Sequence, residues 1–305
     1  MAKSYLRFGC LGEVMLELAL GVGTSAELGV AGDTYNTAVY LAHEQPNLSV
    51  EYITGLGSDG FSQRIRKHMM QFRIGTDRTF VSPTRHPGLY AIETDQNGER
   101  GFTYWRTASA ARCLGDPDMP AISKLLKGLT HLYFSGISLA ILAQDNRDRL
   151  FAAIADFRSE GGIVAFDSNF RPNLWGDVDL ARYETERAWS CCDIAMPSID
   201  DEMVLFDDAT ESEVLRRFER YDISKGTLKR GKRGPIGLDG VIAKTRVLPK
   251  AVIDTTAAGD SFNAAYLAAL LDGQNNVEAM IAGHALACRV VAKKGAIIFK
   301  KESPS

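Results

Sequence analysis

Apolar residues recur along this chain in two rhythms. Short, largely apolar segments, YLRFGCLG (5–12), VEYITGLG (50–57), THLYFSG (130–136), GIVAFDSN (162–169), DIAMPS (193–198) and GTLKRG (226–231), have the length and composition of strands. Between or after several of them, apolar positions fall at helical spacing in 34–44, 61–72, 147–160, 180–191, 211–221 and 277–292. This alternation predicts an α/β fold, a doubly wound and mainly parallel sheet flanked by helices, in a chain long enough for one large domain or two small ones. In such a sheet a ligand sits beyond the carboxyl ends of the strands, so the polar residues that end each strand are the candidates for chemistry.

One stretch departs from the rhythm. PGLYAIETDQNGERGFTYWRT (87–107) alternates apolar and polar residues around Asn97-Gly98, the signature of a hairpin. A lone hairpin is marginal in water, and the alternating GEVMLELAL (12–20) offers it a partner, so a small β-sheet is expected over the main one. Such a sheet closes a pocket as a lid, joins two subunits as a homo-oligomer, or decorates the edge of the main sheet. Tyr90, Tyr104, Trp105 and Arg106 favour the first two roles.

Composition removes several function classes. With 45% hydrophobic and 24% charged residues, the 305-residue chain is an ordinary globular protein. A net charge of −3 gives no electrostatic footprint for nucleic acid. Apolar runs fall short of a membrane span, and MAKSYLRFGC lacks the apolar core of a secretory signal, so a cytoplasmic protein without membrane contact is expected. Five cysteines without a CxxC pair point to reduced thiols, and the five histidines show no metal-binding or catalytic spacing.

Chemistry concentrates in four places. In DTTAAGDSFNAAYLAALL (254–271), a helix opening at about Ala258 carries Asp260 as the only charge between Thr255 and Leu271. A carboxylate there complements the helix dipole. The small residues Ala257, Ala258 and Gly259 also let an anion approach the bare backbone N–H groups of a helix N-terminus, with Asp260 beside it as a base whose sole polar partner is the reacting hydroxyl. AGDTYNTAVYLA (31–42) presents Gly32, Asp33, Thr34 and Asn36 at another helix start, where Asp33 or Thr34 caps the helix or Asp33 and Asn36 grip hydroxyls. FDSNFRPNLW (166–175) ends a strand with Asp167, Asn169 and Arg171, the last suited to carboxylate or phosphate. KRGKRG (229–234) is a glycine-containing basic turn that holds nucleotide phosphates or is simply solvated.

Taken together, DTTAAGDSFNAAY and GLGSDGFSQRI resemble the signatures of the ribokinase-like, phosphofructokinase-B type carbohydrate kinases. GEVMLEL, AGDTYNTAVYLA, the 87–106 segment, FSGISLAIL and FDSNFRPNLW are similar, in order and over nearly the whole chain, to the branch that phosphorylates 2-dehydro-3-deoxy-D-gluconate. The resemblance implies a ribokinase-like fold with a β-sheet lid, and transfer of the ATP γ-phosphate to the sugar 6-hydroxyl with Mg2+ carried by ATP. The alternatives are another sugar kinase of the same superfamily, acting on the galactonate-derived keto acid, fructose or ribose, or a catalytically silent sugar-binding protein on this scaffold; the resemblance also implies a single kinase domain over 1–305. It implies that Gly32, Asp33 and Asn36 hold the sugar, that Tyr90, Tyr104 and Arg106 cover it, and that Arg171 lies between sugar and phosphates. Asn169, Lys229, Gly231 and Gly234 would border the nucleotide, Ala257, Ala258 and Gly259 would form the anion hole, and Asp260 would be the general base. Relatives often have glycine at positions 31 and 257, and their Asn-x-x-Glu motif appears here only as SIDD (198–201) followed by Glu202, which leaves the metal-linked residues unassigned.

One geometric expectation follows from the resemblance. A plain two-residue turn at Asn97-Gly98 would pair Tyr90 with Trp105 and turn Tyr90 away from Tyr104 and Arg106. A shared face requires a register shifted by one.

Overall fold

The computed structural model describes residues 6–21, 25–94, 100–245, 247–249 and 251–299. The first third contains β1 (Arg7–Leu11), β2 (Met15–Leu20), β3 (Ala26–Ala31), α1 (Asp33–Glu44), β4 (Ser49–Leu56), α2 (Gly60–Gln71), β5 (Ile74–Gly75), β6 (Thr79–Val81), β7 (Leu89–Thr94) and β8 (Arg100–Trp105). Next come α3 (Ile122–Leu126), β9 (His131–Ser135), α4 (Gly136–Ala140), α5 (Gln144–Ser159), β10 (Ile163–Asp167), α6 (Pro172–Trp175), α7 (Val178–Cys191) and β11 (Ile194–Ala195). The chain finishes with α8 (Ile199–Phe206), α9 (Glu211–Phe218), β12 (Lys225–Leu228), β13 (Ile236–Gly237), α10 (Ala258–Leu271) and α11 (Asn276–Val291).

The main sheet runs β13-β12-β11-β10-β9-β1-β4-β5, with β6 on β4. Its pairs are parallel except β12 with β13. Because neighbouring strand residues face opposite ways, Phe134 and Phe166 enter a core with Trp189 and Phe157, whereas Tyr133 and Ala165 enter another with Tyr35 and Tyr266. Helices therefore cover both faces, as the alternation required. The reversal of strand order at β1, between β9 and β4, opens the crevice in which such sheets bind ligands.

The lid has more strands than expected. The second sheet runs β3-β2-β7-β8, and β3 was not foreseen. β3 pairs antiparallel with β2, Met15 opposite Ala31, and leads through Gly32 straight into α1. Gly32 is needed for this junction, since a Cβ there would lie 2.2 Å from the Glu13 carbonyl oxygen. The Asn97-Gly98 turn lies outside the described residues, but its consequence is visible. Tyr90 pairs with Tyr104, not Trp105, so the register is the shifted one and Tyr90 and Tyr104 share a face. Glu17, opposite Tyr90 on β2, lies on the same face.

Candidate active site

Two helix N-termini meet beyond the carboxyl ends of the central strands. α1 begins at Asp33 after Gly32, and α10 begins at Ala258 after Ala257; no side chain caps either start. Asn36, one turn into α1, donates from Nδ2 to Asp260 Oδ2 at 2.8 Å, and Thr37 Oγ1 donates to the Asp260 carbonyl at 3.2 Å. Asp260 is thus held across the helix–helix contact. The expectation that its carboxylate has no polar partner except a reacting hydroxyl is corrected: one oxygen already accepts from Asn36.

A second layer of polar side chains supports this pair. Asp33 accepts from Ser135 Oγ and, at 2.9 Å, from Asn169 Nδ2. Asn169 has a positive φ of 34°, a conformation that asparagine tolerates better than most residues, and its backbone N–H donates to Asp167 Oδ1 at 3.2 Å. Asp167 also accepts from Lys229 Nζ at 2.6 Å and from Asn263 Nδ2 at 2.7 Å. Lys229 Nζ further donates to Asn263 Oδ1 at 3.1 Å, and a Cβ on Gly259 would lie 3.7 Å from that nitrogen. The buried Lys229 charge therefore stands beside the uncapped start of α10. Helix-terminal N–H groups plus a cation make an anion site.

These surroundings shift Asp260. Burial, followed by the charge of Asp33, pushes its carboxyl from the ordinary 3.8 up to about 8; Asp167 adds to the rise, while the Asn36 hydrogen bond and Lys229 oppose it. A carboxyl poised near neutral pH can exchange a proton with a bound hydroxyl, the property of a general base. Asp201 is raised to about 6, chiefly by burial and against the pull of Arg171.

The lid contributes its shared face. Tyr90 OH donates to Glu17, the Tyr90 and Tyr104 rings lie 5.7 Å apart, and the Arg106 guanidinium stands 5.8 Å from the Tyr104 ring. Arg106 is buried and ion-paired with Glu13. Arg171, extended before Pro172 as expected, starts the short helix α6; it is half exposed and lies 3.5 Å from Asp201.

The 229–234 segment divides. Lys229 directly follows β12 and points inward to Asp167, whereas Gly231 and Gly234 take positive φ values of 54° and 73° in a surface turn whose Arg230 and Arg233 both pair with Glu211 at 2.7 Å. Asp33, Asn36, Asn169, Lys229 and Asp260 therefore converge, Tyr90, Tyr104 and Arg106 share the lid, and Gly231 and Gly234 stay on the rim. Asn263, Ser135, Glu13 and Glu17 were not anticipated. Asn263 was readable: it follows Asp260 by three residues and so shares its side of the helix. Glu13 and Glu17 depend on lid register, which no local pattern reveals.

Known proteins resemble this chain over nearly its whole length. A family model described as pfkB family carbohydrate kinase matches residues 10–303. The chain is 38% identical to the 2-dehydro-3-deoxygluconokinase of Escherichia coli strain K12, over 98% of this chain and 99% of that protein. The solved 2-dehydro-3-deoxygluconokinase of Thermotoga maritima, 18% identical, superposes with a TM-score of 0.82 over 96% of each chain. A ribokinase II of E. coli in complex with ATP and Mg2+, 20% identical, superposes at 0.81 over 95% of this chain and 94% of its own. At these identities the two structures speak for the fold.

Proposed function

This chain belongs to the pfkB family of carbohydrate kinases, and from that premise we propose that it transfers the γ-phosphate of ATP to the 6-hydroxyl of 2-dehydro-3-deoxy-D-gluconate, in the cytoplasm and as one kinase unit with its lid. The carrying observation is the Asn36–Asp260 contact between two uncapped helix starts, with Asp33, Asp167 and Lys229 behind it. A relative 38% identical over almost the full chain supports the choice of substrate.

MgATP supplies the electrophilic phosphoryl group and part of its charge neutralisation. Among the described residues no three His, Cys, Asp or Glu side chains converge into a metal cage. Mg2+ borne by ATP phosphates keeps several waters and takes few protein ligands. The α10 N-terminus at Ala257, Ala258 and Gly259, with Lys229 beside it, holds the phosphates. Arg171, Gly231 and Gly234 line the nucleotide side. Gly32, Asp33 and Asn36 fix the sugar hydroxyls, and Asn169 orients Asp33. Tyr90, Tyr104 and Arg106 cover the sugar and exclude water. Asp260 accepts the 6-hydroxyl proton as the phosphoryl group arrives.

The reading includes a homo-oligomer joined through the lid sheet. Leu20 and Trp105, on the lid face opposite Tyr90, are 41% and 59% exposed. Light scattering on the purified protein checks this.

The activity is tested by a coupled kinase assay over 2-dehydro-3-deoxygluconate, its galactonate-derived epimer, fructose, ribose and gluconate. The gluconate-derived keto acid is expected to have the highest kcat/KM. Preference for fructose or ribose would overturn the substrate assignment.

A further inference from the structure

Behind the start of α10, Lys229 and Asp167 do not pair with each other alone. Asn263 completes a buried triangle with them. Asp167 Oδ2 accepts from Lys229 Nζ at 2.6 Å and from Asn263 Nδ2 at 2.7 Å, so the two donors share one oxygen, while Oδ1 takes the backbone N–H of Asn169. Asn263 Oδ1 accepts from the same Nζ at 3.1 Å, and Asn263 Nδ2 also reaches the Tyr133 hydroxyl at 3.2 Å. These partners leave the amide one orientation, since a flipped amide would set N–H donors against the ammonium and an oxygen against the carboxylate.

A lysine ammonium has three donors. Among the described residues, Asp167 and Asn263 take two of them. The start of α10 is close to the remaining one: a Cβ on Gly259 would lie 3.7 Å from Nζ, and no side chain caps the helix at Ala257. A lone carboxylate would draw the ammonium toward β10 and neutralise it there. Asn263 divides that pair on both sides, because it offers Asp167 a neutral donor and gives Nζ a second acceptor on α10 itself. It lies one turn after Asp260, so a single helix carries both the expected base and the amide that fixes the cation.

We propose that Asn263 is a positioning residue for phosphoryl transfer: it holds the Lys229 ammonium at the start of α10 and leaves part of its charge for the phosphoryl oxygens, where Asp167 alone would take it. The role rests on the kinase reading above and adds to it how the cation is held. Negative charge is spread over those oxygens in the transition state. A cation fixed beforehand stabilises that charge without having to reorganise during the reaction.

The test uses whichever sugar of the panel above the wild-type protein phosphorylates. Asn263→Ala leaves Lys229 and Asp167 paired with each other, and a thermal melt checks that it folds. Its kcat is expected to fall by roughly tenfold or more, since misplacing a group by about an ångström costs up to about a hundredfold, with KM for the sugar little changed. Asn263→Asp keeps the shape but gives Lys229 a second carboxylate, and its kcat is expected to fall likewise, so the outcome does not depend on the alanine variant folding. In a Lys229→Met background either change is expected to have little further effect, because it acts through Lys229. A folded variant with kcat within about threefold of the wild type, or an equal loss with and without Lys229, would overturn the positioning role. Wild-type protein that phosphorylates no sugar of the panel would instead overturn the kinase reading beneath it.

Discussion

Asn36 and Asp260, 224 positions apart, are joined by a 2.8 Å hydrogen bond between the first turns of α1 and α10. In the proposed function, that bond ties the helix that would hold the sugar to the one that would hold the phosphates, through the residue expected to take the proton. It also opposes the burial and the Asp33 charge that hold the Asp260 carboxyl at about 8. Removing the donor should therefore move the titration upward.

In the free enzyme, kcat/KM for the sugar should climb with pH, reach half its limit near 8 and level off above it, because the base must be ionised and its carboxyl is raised to about 8. Asn36→Leu should shift this limb to higher pH by roughly one unit or more, since a hydrogen bond to a charged group is worth about 1.5–3 kcal/mol and one unit about 1.4 kcal/mol. A pH–rate profile of both proteins checks the direction. An unshifted limb would mean that the titrating group is not Asp260.

Stability carries the same signature. Because the Asp260 carboxyl is raised from 3.8 to about 8 in the folded chain, folding favours its protonated form. That contribution is intact below about pH 4 and is lost progressively as pH rises toward 8, where the folded carboxyl also ionises. Asn cannot ionise, so Asp260→Asn should gain stability over the wild type across this window, by at least about 1 kcal/mol near pH 8. Denaturant melts at pH 5 and pH 8 measure the gap, which should widen with pH.

Ala31 and Ala257 lie together. Ala31 packs with Met15, Tyr90, Ile92 and Ala296, and Ala257 packs against the same group. Ala257 holds a left-handed conformation, φ 59°, that costs an alanine about 1–2 kcal/mol, partly offset by burying its methyl. Ala257→Gly should thus be neutral to stabilising by up to about 1 kcal/mol. Combined with Ala31→Gly it should depart from additivity, because the two methyls share one apolar cluster. Thermal melts of the two single variants and the double variant decide this.

The large elements were legible because they rest on local pattern: α1, α2, α5, α7, α10 and α11 have the apolar spacing that their buried faces require. The register of Tyr90 with Tyr104 agrees with the expectation drawn from the resemblance, whereas the Asn97-Gly98 pattern by itself points to Tyr90 opposite Trp105. β3 was not, since AELGVA has no clear alternation and acquires its strand form only by pairing with β2. The inward turn of Lys229 was hidden for a related reason. In sequence it belongs to a basic run, and only the depth of β12 and the carboxylate of Asp167 separate it from Arg230 and Arg233.

The most direct measurement is the single-turnover rate of Asp260→Asn with saturating MgATP and 2-dehydro-3-deoxygluconate. A positioned base contributes roughly 10²–10⁴-fold, so the rate should fall by about a hundredfold or more while the Kd for ATP holds or tightens, a negative charge beside the phosphates having been removed. A variant that kept more than about a tenth of the wild-type rate, or that lost ATP binding along with turnover, would contradict the assignment of Asp260 as the base.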